Sequence, residues 1–275
     1  MCVMKIPFRK YHGCGNDFII VQEEEIYPEL LQDLIVQSCD RHTGIGADGF
    51  IVVRKEPLEM LYYNQDGSRA PMCGNGIRCF SQFCIDEGIV HKKEFVVTTL
   101  AGDKIIRVLD DQTFQVNMSK PEFDDLSLTG TSKRIWDDLY TIEDRHYRLH
   151  TLFQSTIHTV VFVDELNEEW MRKDGKIICE DPMFSLQTNV NFVQCIDPTH
   201  IQMQTYERGC GMTLACGTGA CASVVCAYQL GKCKDSVEVL LPKGHLKIHI
   251  DTNGDVYMTG NAQCIAKGEY VYETN

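Results

Sequence analysis

The chain has 275 residues, enough for two domains of ordinary size, and its 44% hydrophobic and 24% charged residues are typical of a soluble globular protein. No apolar run approaches the ~20 residues of a membrane span, and a net charge of −13 argues against nonspecific nucleic-acid binding, which needs clustered Lys and Arg. The fourteen cysteines are too sparse for a disulfide scaffold, and the first residues lack a secretory signal pattern, so we expect reduced thiols and a cytoplasmic protein.

The N-terminal elements begin with a glycine turn that carries Asn16 just before a predicted strand at Phe18–Val21. Asparagine is common in such turns, so Asn16 is either ordinary turn chemistry or a group that orients a thiol or a substrate amino group. Apolar spacing then predicts a helix around Pro28–Cys39. The glycine-rich stretch Arg41–Gly49 looks like a phosphate loop, but no Gly-Lys-Ser/Thr follows it, which argues against nucleotide binding.

Two stretches of the chain, Cys73–Gly88 and Cys216–Gly231, follow one plan. Each begins Cys-Gly-x-Gly and ends in a glycine fifteen positions after the first cysteine, which predicts a helix that begins at a glycine-rich turn and ends at a left-handed cap. A strand, a glycine turn and a second strand are predicted after each helix, over Glu94–Val108 and Ser236–Ile250. This repeated order indicates an internal duplication.

The domain boundary is predicted where a strand at Thr113–Met118 gives way to a polar, proline-containing stretch. We therefore expect an N-terminal lobe over residues 1–120 and a C-terminal lobe over residues 121–265. The last strand, within residues 266–275, is expected to return and complete the N-terminal lobe.

Several polar residues near predicted strands have two interpretations each. Asn64 lies in a turn shortly before Cys73, where turn chemistry and substrate contact are both open. His158 is either a satisfied core histidine or a site residue. Glu207 and Arg208 form either a solvated strand end or a group that reaches a zwitterionic substrate.

The position of the two repeated cysteines has a chemical explanation. A helix N-terminus carries unpaired N–H groups and a partial positive charge, which favour a thiolate and a bound carboxylate. If the two halves are related by an approximate twofold, Cys73 and Cys216 face each other and form the base and acid that a racemase needs on opposite faces of one carbon. The glycines that would let a carboxylate approach the backbone are Gly74, Gly76, Gly217 and Gly219.

Four groups of motifs, spread over nearly the whole chain, resemble those of the cofactor-independent diaminopimelate epimerases. They are H-G-x-G-N-D-F (His12–Phe18), R-H-x-G-I-G-A-D-G (Arg41–Gly49), N-x-D-G-S with C-G-N-G-x-R-C (Asn64–Cys79), and Y-E-R-G with A-C-G-T-G-A-C-A (Tyr206–Ala222). The resemblance implies that Cys73 and Cys216 are the catalytic acid and base, with neither pyridoxal phosphate nor a metal. The residues whose backbone amides it assigns to the reacting carboxylate are Gly74, Asn75, Gly217 and Thr218.

The resemblance also implies a distal site for the second amino-acid end of diaminopimelate. The residues of that site are Asn64, Asn191, Glu207 and Arg208. The chain departs from the family pattern where the usual G-N-P-H reads S-T-I-H, at Ser155–His158. Thr156 therefore stands in place of an asparagine of the distal site, and Thr156 and His158 are candidate determinants of specificity.

Two other functions stay open at this point. The same two-thiol chemistry would serve the racemisation of another amino acid, such as histidine, which Thr156 favours and Arg208 opposes. Alternatively, Cys210, Cys216 and Cys221 could bind zinc together with a histidine, although their spacing lacks the close C-x-x-C pairs of common zinc sites. Two facing thiols would also oxidise to a disulfide, so a redox switch is compatible with either epimerase hypothesis.

The repeat and the resemblance together imply an α+β fold of two pseudo-symmetric lobes, each a mixed sheet or barrel wrapped around a central helix. The resemblance further implies a homodimer that acts on a small amino-acid substrate in lysine biosynthesis. The order of strands within the sheets does not follow from the sequence pattern.

Overall fold

The computed structural model describes residues 3–273, and the chain divides into two compact units. The first unit runs to Val116 and resumes at Gly260, and the second unit comprises Asn117–Thr259. For comparison, the sequence placed the boundary near residue 120 and the returning segment at residues 266–275.

The first unit contains a mixed five-stranded sheet. Its strands are β1 (Val3–Gly13), β2 (Asn16–Gln22), β3 (Gly49–Arg54), β4 (Glu59–Asn64) and β17 (Gln263–Glu273). Their order is β17-β1-β2-β3-β4, in which β2 and β3 are parallel and the other neighbours are antiparallel. The C-terminal strand thus pairs with the N-terminal one, from Val3 opposite Glu273 to His12 opposite Gln263.

The other elements of the first unit are two helices and three strands. They are α1 (Leu31–Cys39), α2 (Gly74–Asp86), β5 (Glu94–Val97), β6 (Lys104–Val108) and β7 (Thr113–Asn117). The helix predicted around Pro28–Cys39 begins as a 3-10 turn at Pro28–Leu30 and continues as α1, because proline suits the first position of a helix. The two strands predicted over Glu94–Val108 are β5 and β6, and they pair antiparallel.

The second unit contains a larger mixed sheet and three helices. Its strands are β8 (Trp136–Ile142), β9 (Arg145–Phe153), β10 (Ile157–Phe162), β11 (Asn189–Asp197), β12 (His200–Glu207), β13 (Gly211–Thr213), β14 (Ser236–Leu241), β15 (Gly244–Ile250) and β16 (Val256–Asn261), and its helices are α3 (Leu126–Thr129), α4 (Glu168–Cys179) and α5 (Gly217–Gln229). The strand order is β16-β15-β14-β12-β11-β10-β9-β8, and β13 pairs with β12. The predicted β14–β15 pair is antiparallel.

The two units repeat one order of strand pairings. Strands β1 to β4 pair antiparallel, parallel and antiparallel, and strands β9 to β12 do the same. A parallel pair needs a crossover connection, and α1 and α4 supply it in the two units. Helix α4 was not predicted from the sequence, although Asn167 caps it and Met171 and Ile178 are buried. The duplication was the signal for it, because α1 occupies the equivalent position.

Helices α2 and α5 are the buried centres of the two units. Every residue of Gly74–Cys84 and of Gly217–Ala227 is buried. The buried stretch of α5 is apolar or small on all sides, whereas that of α2 also contains Asn75, Arg78 and Gln82. Helix α2 packs against β1 to β4 and β17, and α5 packs against β9 to β12, β14 and β15. Both stretches reach the predicted left-handed glycine, with φ of +67° at Gly88 and +68° at Gly231. Within residues 3–273, no helix has the length and apolar character needed to cross a bilayer.

Candidate active site

Cys73 is the N-cap residue of α2, in the position that the Cys-Gly-Asn-Gly sequence predicts. Its backbone is extended, with φ of −134° and ψ of 122°, and the chain becomes helical at Gly74. The amide N–H of Gly76 donates to the Cys73 sulfur at 3.4 Å. A side chain beyond Cα at position 76 would lie 3.2 Å from the Cys73 Cβ, so glycine lets the first helical turn close around the sulfur.

Asn16 is the polar side chain next to Cys73 in the first unit. Its Oδ1 lies 3.8 Å from the Cys73 sulfur and accepts from Asn75 Nδ2 at 3.2 Å. Its Nδ2 donates to Asp48 Oδ2 at 2.7 Å. Of the two interpretations of Asn16, the structure therefore supports a side chain that orients groups around a thiol. The turn beside it is tight, with φ of +87° at Gly15.

A charged cluster lies behind Asn16. Arg41 bridges Asp17 at 2.8 Å and Asp48 at 2.6 Å, and Lys10 pairs with Asp17 at 2.9 Å. Burial raises the pKa of Asp17, but hydrogen bonds from Arg41 and Lys10 outweigh it and hold that pKa below its usual value. The stretch that looked like a phosphate loop thus supplies Arg41 and Asp48 to the surroundings of Asn16.

Asn64 lies at the end of β4, where its hydrogen bonds are local. Tyr62 donates to Asn64 Oδ1 at 3.2 Å, and Asn64 Nδ2 donates to Ser68 Oγ at 3.0 Å. The structure therefore shows Asn64 in its turn role, and substrate contact by Asn64 stays a prediction.

Cys216 is the N-cap residue of α5 and repeats the arrangement of Cys73. Its backbone is extended, with φ of −124° and ψ of 106°, and only 6% of Cys216 is exposed to solvent. The Cys216 sulfur lies 3.5 Å from the Thr218 hydroxyl. Gly219 is required for packing, because a Cβ there would lie 2.3 Å from Asn191 Oδ1.

Asn191 and His158 lie together in the core of the second unit, and both are fully buried. Asn191 Oδ1 accepts from the Thr205 hydroxyl at 3.0 Å, and Asn191 Nδ2 lies 3.2 Å from His158 Nδ1. Burial, with a smaller contribution from the charge of Arg208, lowers the pKa of His158 from 6.5 to about 3. His158 is therefore neutral at physiological pH.

The remaining predicted residues of the second unit lie at strand ends. Glu207 closes β12 and accepts from Thr213 at 2.6 Å. Arg208 follows it, is exposed, and donates from Nη1 to the Leu186 carbonyl at 2.5 Å. Thr156 lies in the half-buried turn before β10, where the preceding Ser155 has a φ of +62°.

Burial suppresses the ionisation of several cysteines that do not cap a helix. It raises the pKa of Cys79, Cys84 and Cys226 far above the usual range, and that of Cys39 to about 12. These thiols are poor nucleophiles and poor bases. Across residues 3–273, no three His, Cys, Asp or Glu side chains are grouped so that they could hold a metal ion.

Sequence reasoning missed three charged residues that surround the predicted ones. Asp48 accepts a hydrogen bond from Asn16 and is itself bound by Arg41. The fully buried Arg78 donates to Asn75 Oδ1 at 2.8 Å. Their signal was available, since each of these charged residues lies inside a glycine-rich motif.

A comparison with family models decides where this chain belongs. The model described as diaminopimelate epimerase matches residues 8–123 and 154–265, which include every predicted site residue. The chain belongs to the diaminopimelate epimerase family. Members of this family are isomerases, so the protein is an isomerase.

Individual relatives agree with the family. A diaminopimelate epimerase of Alkaliphilus metalliredigens is 39% identical over 279 residues and covers 98% of both chains. One of Clostridium perfringens is 37% identical and covers 97% of this chain and all of the relative.

Solved structures with the same fold are far more distant in sequence. A hydroxyproline epimerase of Agrobacterium vitis has a TM-score of 0.72 at 11% identity and covers 99% of this chain and 93% of its own. A PhzF-family protein of Bacillus anthracis has a TM-score of 0.69 at 13% identity and covers 98% of this chain and 99% of its own. These likenesses establish that this chain has the expected α+β fold.

Proposed function

We propose that the protein interconverts LL- and meso-diaminopimelate without a cofactor. The observation that carries this proposal is a cysteine-capped helix, buried over its first eleven residues, that occurs once in each unit of a chain from the diaminopimelate epimerase family. Each of the two capping cysteines lies at the N-terminus of such a helix, where the unpaired N–H groups favour a thiolate.

Cys73 and Cys216 are the proposed acid and base. One thiolate removes the α-proton, the other thiol delivers a proton to the opposite face, and the α-carbon inverts while the two sulfurs exchange protonation states. The partial positive charge at the start of each helix favours the thiolate and the substrate carboxylate. The residues whose amides are the proposed carboxylate ligands are Gly74, Asn75, Gly217 and Thr218.

The other site residues are proposed to orient the substrate. Asn16 lies beside the Cys73 sulfur and is placed to hold the reacting end. The exposed guanidinium of Arg208 suits a second carboxylate, and the carboxylate of Glu207 suits an ammonium group. The full proposed distal set, with the candidate determinants of specificity, is Asn64, Asn191, Glu207, Arg208, Thr156 and His158.

Exchange of the α-proton in deuterated buffer tests the proposal directly. We expect the wild-type protein to replace the α-proton of LL-diaminopimelate with deuterium and to form the meso isomer. Proton NMR measures this exchange as the loss of the α-proton signal. Cys73→Ala and Cys216→Ala should each lower the rate of inversion by about 10³-fold, because each removes one proton-transfer group. Cys79→Ala, which alters a buried thiol of raised pKa, is the matched control and should keep substantial activity.

The same experiment distinguishes the substrate from its alternative. Thr156 in place of the family asparagine is the one observation that favours a single amino acid such as histidine. Deuterium exchange into free histidine but not into diaminopimelate would overturn the proposed substrate and keep the two-thiol mechanism. Inversion that persists in both alanine variants would overturn the mechanism itself.

We also propose that the protein works in the cytoplasm. The proposed chemistry needs two reduced thiols, and a reducing compartment keeps cysteines in that state. The lysine pathway, in which diaminopimelate is an intermediate, is the proposed context.

A homodimer is proposed to form through strand β17. This strand is the edge of the first unit's sheet, and its outer face is exposed along its length, with Ile265 at 52% and Val271 at 53%. An exposed edge offers free backbone groups to another strand. If a second copy pairs antiparallel about Gly268, Lys267 lies opposite Glu269 of the second copy, and Ile265 lies opposite Val271 of the second copy. The strand is therefore complementary to itself in charge and in apolar character, as a twofold interface requires.

A further inference from the structure

A continuous line of side-chain hydrogen bonds crosses the N-terminal end of α2 in the first unit. Arg78 donates to Asn75 Oδ1 at 2.8 Å, Asn75 donates to Asn16 Oδ1 at 3.2 Å, and Asn16 donates to Asp48 Oδ2 at 2.7 Å. We call these four residues, Arg78, Asn75, Asn16 and Asp48, the amide chain. It passes the sulfur of Cys73 at Asn16.

The two ends of the amide chain fix the direction of every bond in it. A guanidinium can only donate, so the atom of Asn75 that faces Arg78 is its carbonyl oxygen. A carboxylate can only accept, so the atom of Asn16 that faces Asp48 is its amide nitrogen. The orientation of both amides follows from the charged ends and does not depend on how amide oxygen and nitrogen are assigned.

Both ends are also held in place. Arg78 is fully buried and donates to the carbonyls of Gly74 at 2.8 Å and Asn261 at 3.2 Å. Asp48 accepts from Arg41 at 2.6 Å and from the Asp17 amide at 3.2 Å. The amides between them cannot rotate without breaking a hydrogen bond to a charged group, and such bonds are about twice as strong as neutral ones.

The consequence at Cys73 is that Asn16 presents its side-chain carbonyl oxygen, and not its side-chain N–H, to the sulfur. A carbonyl oxygen accepts a hydrogen bond from S–H and repels a thiolate, so it favours the protonated form. The Gly76 amide and the helix N-terminus act in the opposite direction. Asp48 thus orients the amide that lies beside the Cys73 sulfur.

The second unit has a different group at the equivalent position. Phe18 pairs with the first residue of β3 and His158 with the first residue of β11, so Asn16 and Thr156, each two residues earlier, are equivalent. The preceding residues, Gly15 and Ser155, share a left-handed backbone. Beside Cys216 lies the Thr218 hydroxyl, which can donate to a thiolate.

We propose that Asp48 is a positioning residue which, through Asn16, keeps the proton on Cys73 in the resting enzyme and so leaves the thiolate to Cys216. This inference rests on the proposed roles of the two thiols. In the first turnover, Cys216 takes the α-proton while the S–H bond of Cys73 breaks and its proton forms the new C–H bond. Proton exchange with water then restores the resting state.

Peptide-resolved alkylation of the full-length protein tests the proposal without any substrate. Asp48→Asn keeps the volume but can donate as well as accept, so position 48 no longer fixes the amide of Asn16. Only the hydrogen bond from Asn75 then holds the Asn16 carbonyl toward the sulfur, and the Asn16 N–H reaches the sulfur more often. At pH 7 and limiting iodoacetamide, we expect the modification rate of Cys73 to rise about fivefold, which corresponds to the loss of one weak hydrogen bond. The modification rate of Cys216 should fall, because Cys216 then holds the thiolate for less of the time. Asp66→Asn, at an exposed turn of the same unit, is the matched control and should leave both rates unchanged.

A second variant shows whether Asp48 acts through Asn16. Asn16→Leu removes the carbonyl directly and should also raise the rate of Cys73, and the Asp48→Asn/Asn16→Leu double variant should show no further rise. Cys79 and Cys84 are both fully buried, so alkylation of either one would show that the variant has loosened the fold as a whole.

Three results would overturn the proposal. They are an unchanged Cys73 rate in Asp48→Asn, a parallel rise at the two buried reporter cysteines, and additive effects in the double variant. Because alkylation needs no turnover, these outcomes are separate from a failure of the epimerase assay.

Discussion

His158 shows how position decides the role of a single residue. It lies fully buried at the start of β10, within 3.2 Å of the Asn191 amide, and Nε2 has no hydrogen-bond partner among the residues that the structure describes. Burial lowers its pKa to about 3, so the folded protein binds no proton at His158 above that pH. In the unfolded chain this histidine has an ordinary pKa near 6.5 and binds a proton below that pH.

The free energy of unfolding should therefore fall as the pH is lowered from 6.5 toward 3. The unfolded state gains the proton in this window, and one such group contributes up to about 1.4 kcal/mol per pH unit. We expect His158→Gln, which does not titrate, to show a flatter decline than the wild type in urea denaturation at pH 7.5, 6 and 5.

The control for this prediction is His91→Gln, which alters an exposed histidine of the first unit. It should follow the wild-type pH dependence. If His158→Gln also declines in parallel with the wild type, the buried histidine does not contribute to the acid sensitivity of the fold.

At the scale of elements, the starts of α2 and α5 are similar in backbone and different in packing. Gly76 and Gly219 occupy the third position of their helices. A Cβ at Gly219 would lie 2.3 Å from Asn191 Oδ1, whereas a Cβ at Gly76 would lie 3.2 Å from its nearest neighbour, the Cβ of Cys73. Helix α5 is thus seated against β11 at a spot that has no room for a methyl group.

Gly219→Ala should destabilise the protein by about 2 kcal/mol, because an added methyl group in a full site forces its neighbours to move. Gly76→Ala is the matched substitution in the other helix and should cost less, since alanine also favours helix over glycine. Thermal unfolding midpoints, followed by circular dichroism, measure both.

A double variant tests whether the cost arises at Asn191. Asn191→Ala removes the atom that the new methyl group would meet. In that background the additional cost of Gly219→Ala should shrink, which makes the two substitutions non-additive. Additive costs would show that Gly219 is needed for some other reason than its approach to β11.

At the scale of the whole molecule, the chain is a duplicated fold whose last strand returns to its first. The pairing of β17 with β1 joins residues from the two ends of the sequence and places β17 at a sheet edge. Lys5 pairs with Glu269 across these strands at 3.1 Å, but both side chains are largely exposed, so this pair contributes little to stability. The proposed dimer would cover this edge.

Charge reversal at β17 tests the proposed dimer. We expect Lys267→Glu and Glu269→Lys to weaken dimerisation by at least about tenfold, because each places like charges opposite one another at the twofold axis. The exchange variant Lys267→Glu/Glu269→Lys should restore it. Sedimentation velocity over a range of protein concentrations measures the dissociation constant.

Lys5→Ala is the control for the intrachain ion pair and should leave dimerisation unchanged. A wild-type protein that stays monomeric, or single variants that dimerise as well as the wild type, would contradict the proposed interface. Restoration by the exchange variant is the outcome that only direct contact between Lys267 and Glu269 of the second copy explains.

Much of the fold is encoded locally and was predictable from the sequence. The N-caps Cys73 and Cys216, the left-handed ends at Gly88 and Gly231, and the hairpin of β14 and β15 all follow from signals within a few residues. Helix α4 was missed although local signals were present, since Asn167 caps it, Glu168 and Glu169 lie in its first turn, and Met171 and Ile178 lie on its buried face.

The sequence by itself determined which residues cap the two central helices, since a glycine-rich turn before an apolar run specifies a helix start through local backbone geometry. Only the tertiary structure decided what surrounds each sulfur. Asn16 and Asn75 are 59 positions apart and meet beside Cys73 because β2 and α2 pack together. Contacts of this kind depend on which elements pack against each other, and no local pattern of the sequence encodes that choice.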